Sequence, residues 1–331
     1  GHPMTKKYHV AICGASGVVG RKMLQVLHER NFPFETLTLF ASKRSAGKTI
    51  SYAGKDYVIQ ELTEEALQAP IEIALFSAGG ETSKHFGPIA ASRGIYVIDN
   101  SSAWRMDPQI PLVVPEVNGD VLKAEDHLIA NPNCSTIQSV VPLAVLQPYG
   151  LKRVIYNTYQ AVSGAGQAGI NDLENHTTEK FPYSIHKNVL PHIDVFTESG
   201  YTKEEIKMIE ETRKILRMPD LRVTATTVRV PIKHSHAVSI NVELERDFDL
   251  AEIRQAFQEA EGIILLDDPA NLKYPLQSEV EDHDEVYVGR VRRDESVPYG
   301  LNIWVVADNI RKGAATNTIQ IAEQLIKDGI L

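Results

Sequence analysis

The spacing of apolar and polar positions divides the chain into two kinds of segment. Residues 8–13 form a short apolar run with β-branched members that stops at Gly14, and residues 18–29 then carry apolar side chains at helical spacing. This reads as a strand, a glycine turn and a helix. Further apolar runs at 37–41, after Phe32-Pro33-Phe34, and at 71–76 and 95–98 predict more strands, with helical stretches between them. Strands alternating with helices imply a parallel, doubly wound sheet.

The pattern changes after Asn131. Residues 154–160, 223–230, 237–244 and 301–306 are strand-like, and several alternate apolar with polar, which predicts an antiparallel sheet with one wet face. Among them lies a charged helix over 202–216, with Thr202 as N-cap and Glu205 three residues on, the spacing of a capping box. An amphipathic helix over 315–330 is expected to pack back on the first domain. The expected organisation is an α/β domain of residues 4–131 with 310–331, followed by an α+β domain of residues 132–309. A length of 331 residues suits two domains. Gly1-His2-Pro3 before Met4 reads as the remnant of a cleaved tag, with Met4 the expected native start.

Charge and cysteine content narrow the function classes. The net charge is −9, and the longest basic cluster, Arg290-Val291-Arg292-Arg293, is too short for a nucleic-acid footprint. No apolar run approaches the ~20 residues that span a bilayer, so no membrane partner and a cytoplasmic location are expected. Two cysteines occur, Cys13 in an apolar strand and Cys134 in a polar turn, which points to a reducing compartment and to two different roles. The histidines and cysteines lack metal-site spacing, and no metal is expected.

Gly14-Ala15-Ser16-Gly17-Val18-Val19-Gly20 joins a strand to a helix, so N–H groups at the helix start can face a pyrophosphate, as in Rossmann-type domains. The loop reads G-x-x-G-x-x-G. At the end of the second strand, where an NAD site places an acid on the ribose, the chain has Ala41-Ser42-Lys43-Arg44-Ser45. Two cations and two hydroxyls suit a 2′-phosphate, which favours NADP, although a solvated basic turn is the bland alternative. Ser77-Ala78-Gly79-Gly80 supplies a second glycine turn at the same sheet edge.

Asn131-Pro132-Asn133-Cys134-Ser135-Thr136 precedes the apolar run 137–146, which places Cys134 at a helix N-terminus. There the helix dipole and free N–H groups favour a thiolate nucleophile; an inert core thiol is the competing reading. His234 and His236 are both candidate partners, on one face if the stretch is a strand, and spacing does not choose between them. Glu204 and Lys207, three apart on a helix, form a surface ion pair by default.

Four strings carry a resemblance: Pro132-Asn133-Cys134-Ser135-Thr136, Tyr159-Gln160-Ala161-Val162-Ser163-Gly164-Ala165-Gly166, Arg229-Val230-Pro231 followed by His236, and Ser101-Ser102-Ala103-Trp104-Arg105. They resemble the signatures of aspartate-semialdehyde dehydrogenases, in the same order and over nearly the whole chain. The resemblance implies reduction of L-aspartyl 4-phosphate by NADPH to L-aspartate 4-semialdehyde, with release of phosphate, on the route to lysine, methionine and threonine. It makes Cys134 the nucleophile of a thioester, selects His236 as acid/base, and gives Gln160 a share in placing the substrate. Arg229 would grip the α-carboxylate, Glu204 the amino group, and Arg105, Lys207 and Asn133 the phosphate. Gly14, Ser16, Gly17, Val18, Val19, Arg44, Ser45, Ser163, Gly164 and Asn309 would contact NADP, Ser16 standing where a threonine is familiar. The second domain would be catalytic and dimerising, in a homodimer. The rivals are a related acyl-phosphate reductase, N-acetyl-γ-glutamyl-phosphate reductase, and a non-catalytic NADP-sensing protein.

Overall fold

The computed structural model describes residues 6–331, so the tag remnant and Met4 lie outside the described residues. The chain divides into two compact units. One takes in the described residues up to Pro132 together with Ala314–Leu331, and the other is Asn133–Gly313.

The first unit is built on β1 (Tyr8–Cys13), β2 (Phe34–Ala41), β3 (Thr49–Tyr52), β4 (Lys55–Val58), β5 (Gln60–Glu61), β6 (Ile73–Phe76), β7 (Tyr96–Asp99) and β8 (Leu128–Ala130). Six of these form one parallel sheet in the order β5-β2-β1-β6-β7-β8, and β3 pairs with β4 in a hairpin. The chain leaves β1 toward one edge and returns to β6 on its other side. The gap beyond the carboxyl ends of β1 and β6 is therefore the switch point where such sheets bind ligands. β1 is almost wholly buried, as expected of a strand covered on both faces, which is why it reads as a continuous apolar run.

The helix Val18–Glu29 buries Met23, Leu24, Val26 and Leu27. Ile319, Ile321, Ala322 and Leu325 of the last helix, Thr316–Lys327, join the same core. Each of the Met, Leu, Val and Ile side chains among them contributes ~1.5–3 kcal/mol by leaving water. Arg30 of the first helix's end clasps Glu323 with Nε and Nη2. β2 starts at Phe34, directly after Pro33, earlier than the apolar run at 37; its first residues are partly exposed and carry little hydrophobic signal.

The second unit carries β9 (Leu151–Tyr159), β10 (Arg222–Thr226), β11 (His236–Leu244), β12 (Ile263–Leu265), β13 (Val286–Asp294) and β14 (Gly300–Ala307), in the order β10-β9-β11-β14-β13-β12. The expected antiparallel sheet is corrected to a mixed one. Its central pairs are antiparallel, but β10 runs parallel to β9 and β12 parallel to β13. The strand expected over 223–230 stops at Thr226. Beyond it, Arg229 lies in an irregular stretch, bridged to Gln160 on one side and Leu190 on the other. The helix Cys134–Leu146 is apolar nearly all round and almost completely buried, so its N-terminal residue is held by a fixed rod. Among the described residues no helix is long and apolar enough to cross a membrane.

Candidate active site

Cys134 is the first residue of its helix. Asn133 caps that helix, its Oδ1 accepting from the backbone N–H groups of Ser135 at 3.1 Å and Thr136 at 3.4 Å. The sulfur sits 3.2 Å from Nε2 of His236. A half-buried thiol on a helix N-terminus beside an imidazole is the environment that favours a nucleophilic thiolate.

His236 opens β11 and is fully buried. The backbone N–H of Ala161 donates to its Nδ1 at 2.8 Å. A peptide N–H can only donate, so Nδ1 accepts and the neutral ring carries its proton on Nε2, facing the sulfur. Burial, followed by the nearby Arg229 charge, lowers the proton affinity of His236 well below the ordinary histidine value. Gln138, buried within the Cys134 helix, donates to the carbonyl oxygens of His236 at 3.0 Å and Val305 at 3.2 Å, and so ties the histidine's backbone to that helix.

His234 does not share a strand face with His236, because the condition for it, a continuous strand through both, is not met. Ser235 between them has φ of 79°, and the strand starts only after it. His234 instead faces Glu281 at 3.9 Å. The Ser235 N–H donates to Oδ1 of Asn309 at 2.8 Å, and Asn309 Nδ2 donates to Ser163 Oγ at 3.0 Å. Ser163 and Asn309 are thus brought together beside the histidine turn.

A polar group surrounds the helix start. Asn133 Nδ2 donates to both oxygens of Glu204, at 3.0 and 3.1 Å, and Gln160 Nε2 donates to Glu204 Oε2 at 3.0 Å. Thr158 Oγ1 donates to Gln160 Oε1 at 2.8 Å, which fixes which end of the amide faces the carboxylate. Glu204 is presented by the helix Lys203–Ile215, whose capping box engages Thr202 with Glu205 as the sequence pattern predicts. Lys207 pairs with Asp194 at 3.1 Å, so the default Glu204–Lys207 ion pair is corrected.

Arg229 is buried, donates from Nη1 to the Ala161 carbonyl at 2.7 Å, and adjoins Gly164. Sequence reasoning missed Glu211, a buried carboxylate that accepts the Asn133 N–H at 2.7 Å, and Gln138. Glu211 lies seven residues after Glu204, two helical turns on and on the same face, which was the available signal.

In the first unit, Gly14 has φ of 95°, and a Cβ there would collide with the Ser77 carbonyl, so the loops after β1 and β6 can approach only through a glycine. Gly17 caps the following helix without a side-chain bond, leaving the N–H groups around Val18 and Val19 facing out of the loop. Ser45 Oγ donates to Ser16 Oγ at 3.3 Å, which sets the turn carrying the exposed Arg44 against the glycine loop. A pyrophosphate with an adjoining ribose fits this cradle of amides, hydroxyls and one cation. Arg105, also buried in this unit, donates to the carbonyls of Asn131 at 2.9 Å and Asn100 at 3.1 Å.

Two family profiles match the chain: semialdehyde dehydrogenase, NAD binding domain, over residues 9–125, and semialdehyde dehydrogenase, dimerisation domain, over residues 142–312. The chain is 52% identical to the aspartate-semialdehyde dehydrogenase of Aquifex aeolicus and 46% identical to that of Bacillus subtilis, in each case over 98% of this chain and 99% of the relative. The crystal structure of aspartate semialdehyde dehydrogenase II from Vibrio cholerae complexed with ASA matches with a TM-score of 0.93 at 45% identity, covering 98% of this chain and 99% of that one. With a parallel nucleotide-binding sheet, a second mixed-sheet domain and this full-length similarity, the chain belongs to the aspartate-semialdehyde dehydrogenase family of nicotinamide-dependent oxidoreductases.

Proposed function

We propose that the chain interconverts L-aspartyl 4-phosphate and L-aspartate 4-semialdehyde through a thioester on Cys134, using NADP, in the biosynthesis of lysine, methionine and threonine. The observation that carries this reading is the 3.2 Å approach of the Cys134 sulfur to His236 Nε2 at a helix N-terminus.

In the reductive direction the Cys134 thiolate attacks the acyl carbon, the bond from that carbon to the phosphate oxygen breaks, and phosphate leaves with the electron pair. A nicotinamide held at the glycine loop would supply the hydride that reduces the thioester carbonyl. From the reduced adduct the C–S bond breaks, releasing the aldehyde and returning the electron pair to the Cys134 thiolate. His236 fills the acid/base role in the form its tautomer allows. Its Nε2–H supports the thiolate and then the oxygen that turns negative as hydride arrives.

Arg229 holds the substrate α-carboxylate in a planar fork, Glu204 meets the amino group, Gln160 helps place the substrate beside Cys134, and Lys207, Arg105 and Asn133 serve the phosphate. Gly14, Ser16, Gly17, Val18 and Val19 hold the nucleotide with Ser163, Gly164 and Asn309. Arg44 and Ser45 take the 2′-phosphate that distinguishes NADP from NAD. Residues 132–309 act as the catalytic and dimerisation domain of a homodimer, and residues 4–131 with 310–331 as the nucleotide domain. In support of dimerisation, Tyr159, Leu272 and Leu276 are exposed and, with Trp304, line a surface cavity of about 580 Å³. Two cysteines outside any disulfide fit a cytoplasmic setting.

The test is formation of reduced NADP from L-aspartate 4-semialdehyde by the purified protein. Strict dependence on phosphate, or on arsenate in its place, supports the reading. A rate independent of both anions rejects the acyl-phosphate step.

A further inference from the structure

The helix Gly166–Asn175 holds an acid, Asp172, that none of the steps above uses. Its fully buried carboxylate accepts four hydrogen bonds, all from one short stretch. Oδ1 takes Thr177 Oγ1 at 2.6 Å and the Glu179 N–H at 3.0 Å; Oδ2 takes the Lys180 N–H at 2.8 Å and the Phe181 N–H at 2.9 Å. Burial works against the charge, but these donors outweigh it and hold the carboxyl at about 2. Residues 177–181 have no helix or strand of their own, so the carboxylate is the template on which they are shaped.

The stretch ends on Phe181, which is 8% exposed and has its ring centroid 5.9 Å from Cζ of Arg229, within cation–π range. Gly169 lies three residues before Asp172, on the same helix face; a Cβ there would collide with the Val162 carbonyl oxygen at 2.4 Å and the Ala165 Cβ at 2.9 Å, and would also come within 3.3 Å of Phe181 Cζ. The guanidinium donates from Nη1 to the Ala161 carbonyl, and among the described residues its Nε has no acceptor. The aromatic face is therefore a second restraint on its direction.

We propose that Asp172 and Phe181 are positioning residues for Arg229: the carboxylate pins residues 177–181, and the ring they carry sets the plane in which the guanidinium meets a substrate carboxylate. The proposal rests on the reading of Arg229 as the carboxylate-binding residue. The test is steady-state kinetics of the full chain for Phe181→Leu, Asp172→Asn, Arg229→Lys and the Phe181→Leu/Arg229→Lys double variant.

The expected result is a fall of roughly fivefold or more in kcat/KM for L-aspartate 4-semialdehyde in Phe181→Leu, with the KM values for phosphate and NADP within about twofold of wild type. Asp172→Asn, which removes no volume, moves the same quantity in the same direction. In the Arg229→Lys background, Phe181→Leu adds less than about a further twofold, because its effect passes through the arginine.

Fully multiplicative losses, or equal changes for all three substrates, overturn the proposal. If Arg229→Lys lowers kcat/KM for the semialdehyde while Phe181→Leu and Asp172→Asn do not, the positioning claim alone falls. If Arg229→Lys itself leaves that value unchanged, the carboxylate reading falls and takes the positioning claim with it.

Discussion

Gly313 lies so close to Cys134 that a Cβ added to it would stand 3.0 Å from the cysteine Cβ and 3.4 Å from its Cα. Backbone and Cβ atoms cannot rotate out of the way, so a side chain at 313 requires residue 313 and the nucleophile to move apart by a few tenths of an ångström. Gly313→Ala is expected to lower kcat severalfold, since a shift of ~1 Å at a reacting group can cost a hundredfold. Retention of the wild-type kcat would show that the helix start can yield. Cys134→Ala, by contrast, should abolish turnover yet keep NADP binding, which equilibrium titration would check.

Arg44→Asp should weaken NADP by roughly 10- to 100-fold, the loss of a charge-assisted pair replaced by repulsion, while NAD binding changes little or improves. The two dissociation constants decide the matter. Equal loss for both nucleotides would remove Arg44 from the adenosine ribose.

Arg229 and Lys207 should separate kinetically. Arg229→Lys keeps the charge but loses the fork, so kcat/KM for L-aspartate 4-semialdehyde should drop by the equivalent of ~1.5–3 kcal/mol, with the phosphate KM little changed. Lys207→Ala should do the converse and raise the KM for phosphate or arsenate. A wild-type preference for N-acetylglutamate semialdehyde would contradict the proposed substrate and favour the related reductase.

The histidine makes a prediction about pH. Burial, then the Arg229 charge, lowers the affinity of folded His236 for a proton, while in the unfolded chain it titrates near ~6.5. Below that pH the unfolded state takes up a proton that the folded state refuses, so stability falls with pH, by at most ~1.4 kcal/mol per unit from this group. His236→Gln removes the titration. Its urea midpoints between about pH 7 and pH 5 should fall less steeply than those of the wild type; parallel curves would mean that His236 binds a proton equally well in both states.

Elements with strong local signals were legible almost to the residue. The run from Tyr8 to Glu29 was read correctly because a doubly covered strand and an amphipathic helix write different periods. Thr202 and Glu205 marked their helix start because a capping box is a local code. β13 was not anticipated, since Arg290, Arg292 and Arg293 interrupt its apolar residues and drew attention as a basic cluster instead. The 223–230 run was read too long because Val228 and Val230 look like strand residues, although they hydrogen-bond to Gln160 outside the ladder. Within the site, the motif strings mark Cys134, His236 and Gln160, and the resemblance marks Glu204. The Ala161 N–H that sets the histidine tautomer and the left-handed Ser235 are backbone facts that no side-chain pattern announces.

The contrast between the two thiols has a practical outcome. Cys13 is wholly enclosed, and burial pushes its thiol far toward the neutral form, whereas Cys134 is half-exposed at a helix start. In the folded state one sulfur per chain answers to an alkylating reagent. The moles of label taken up before unfolding therefore count competent centres directly, and a preparation's working concentration can be read from its stoichiometry rather than from its absorbance.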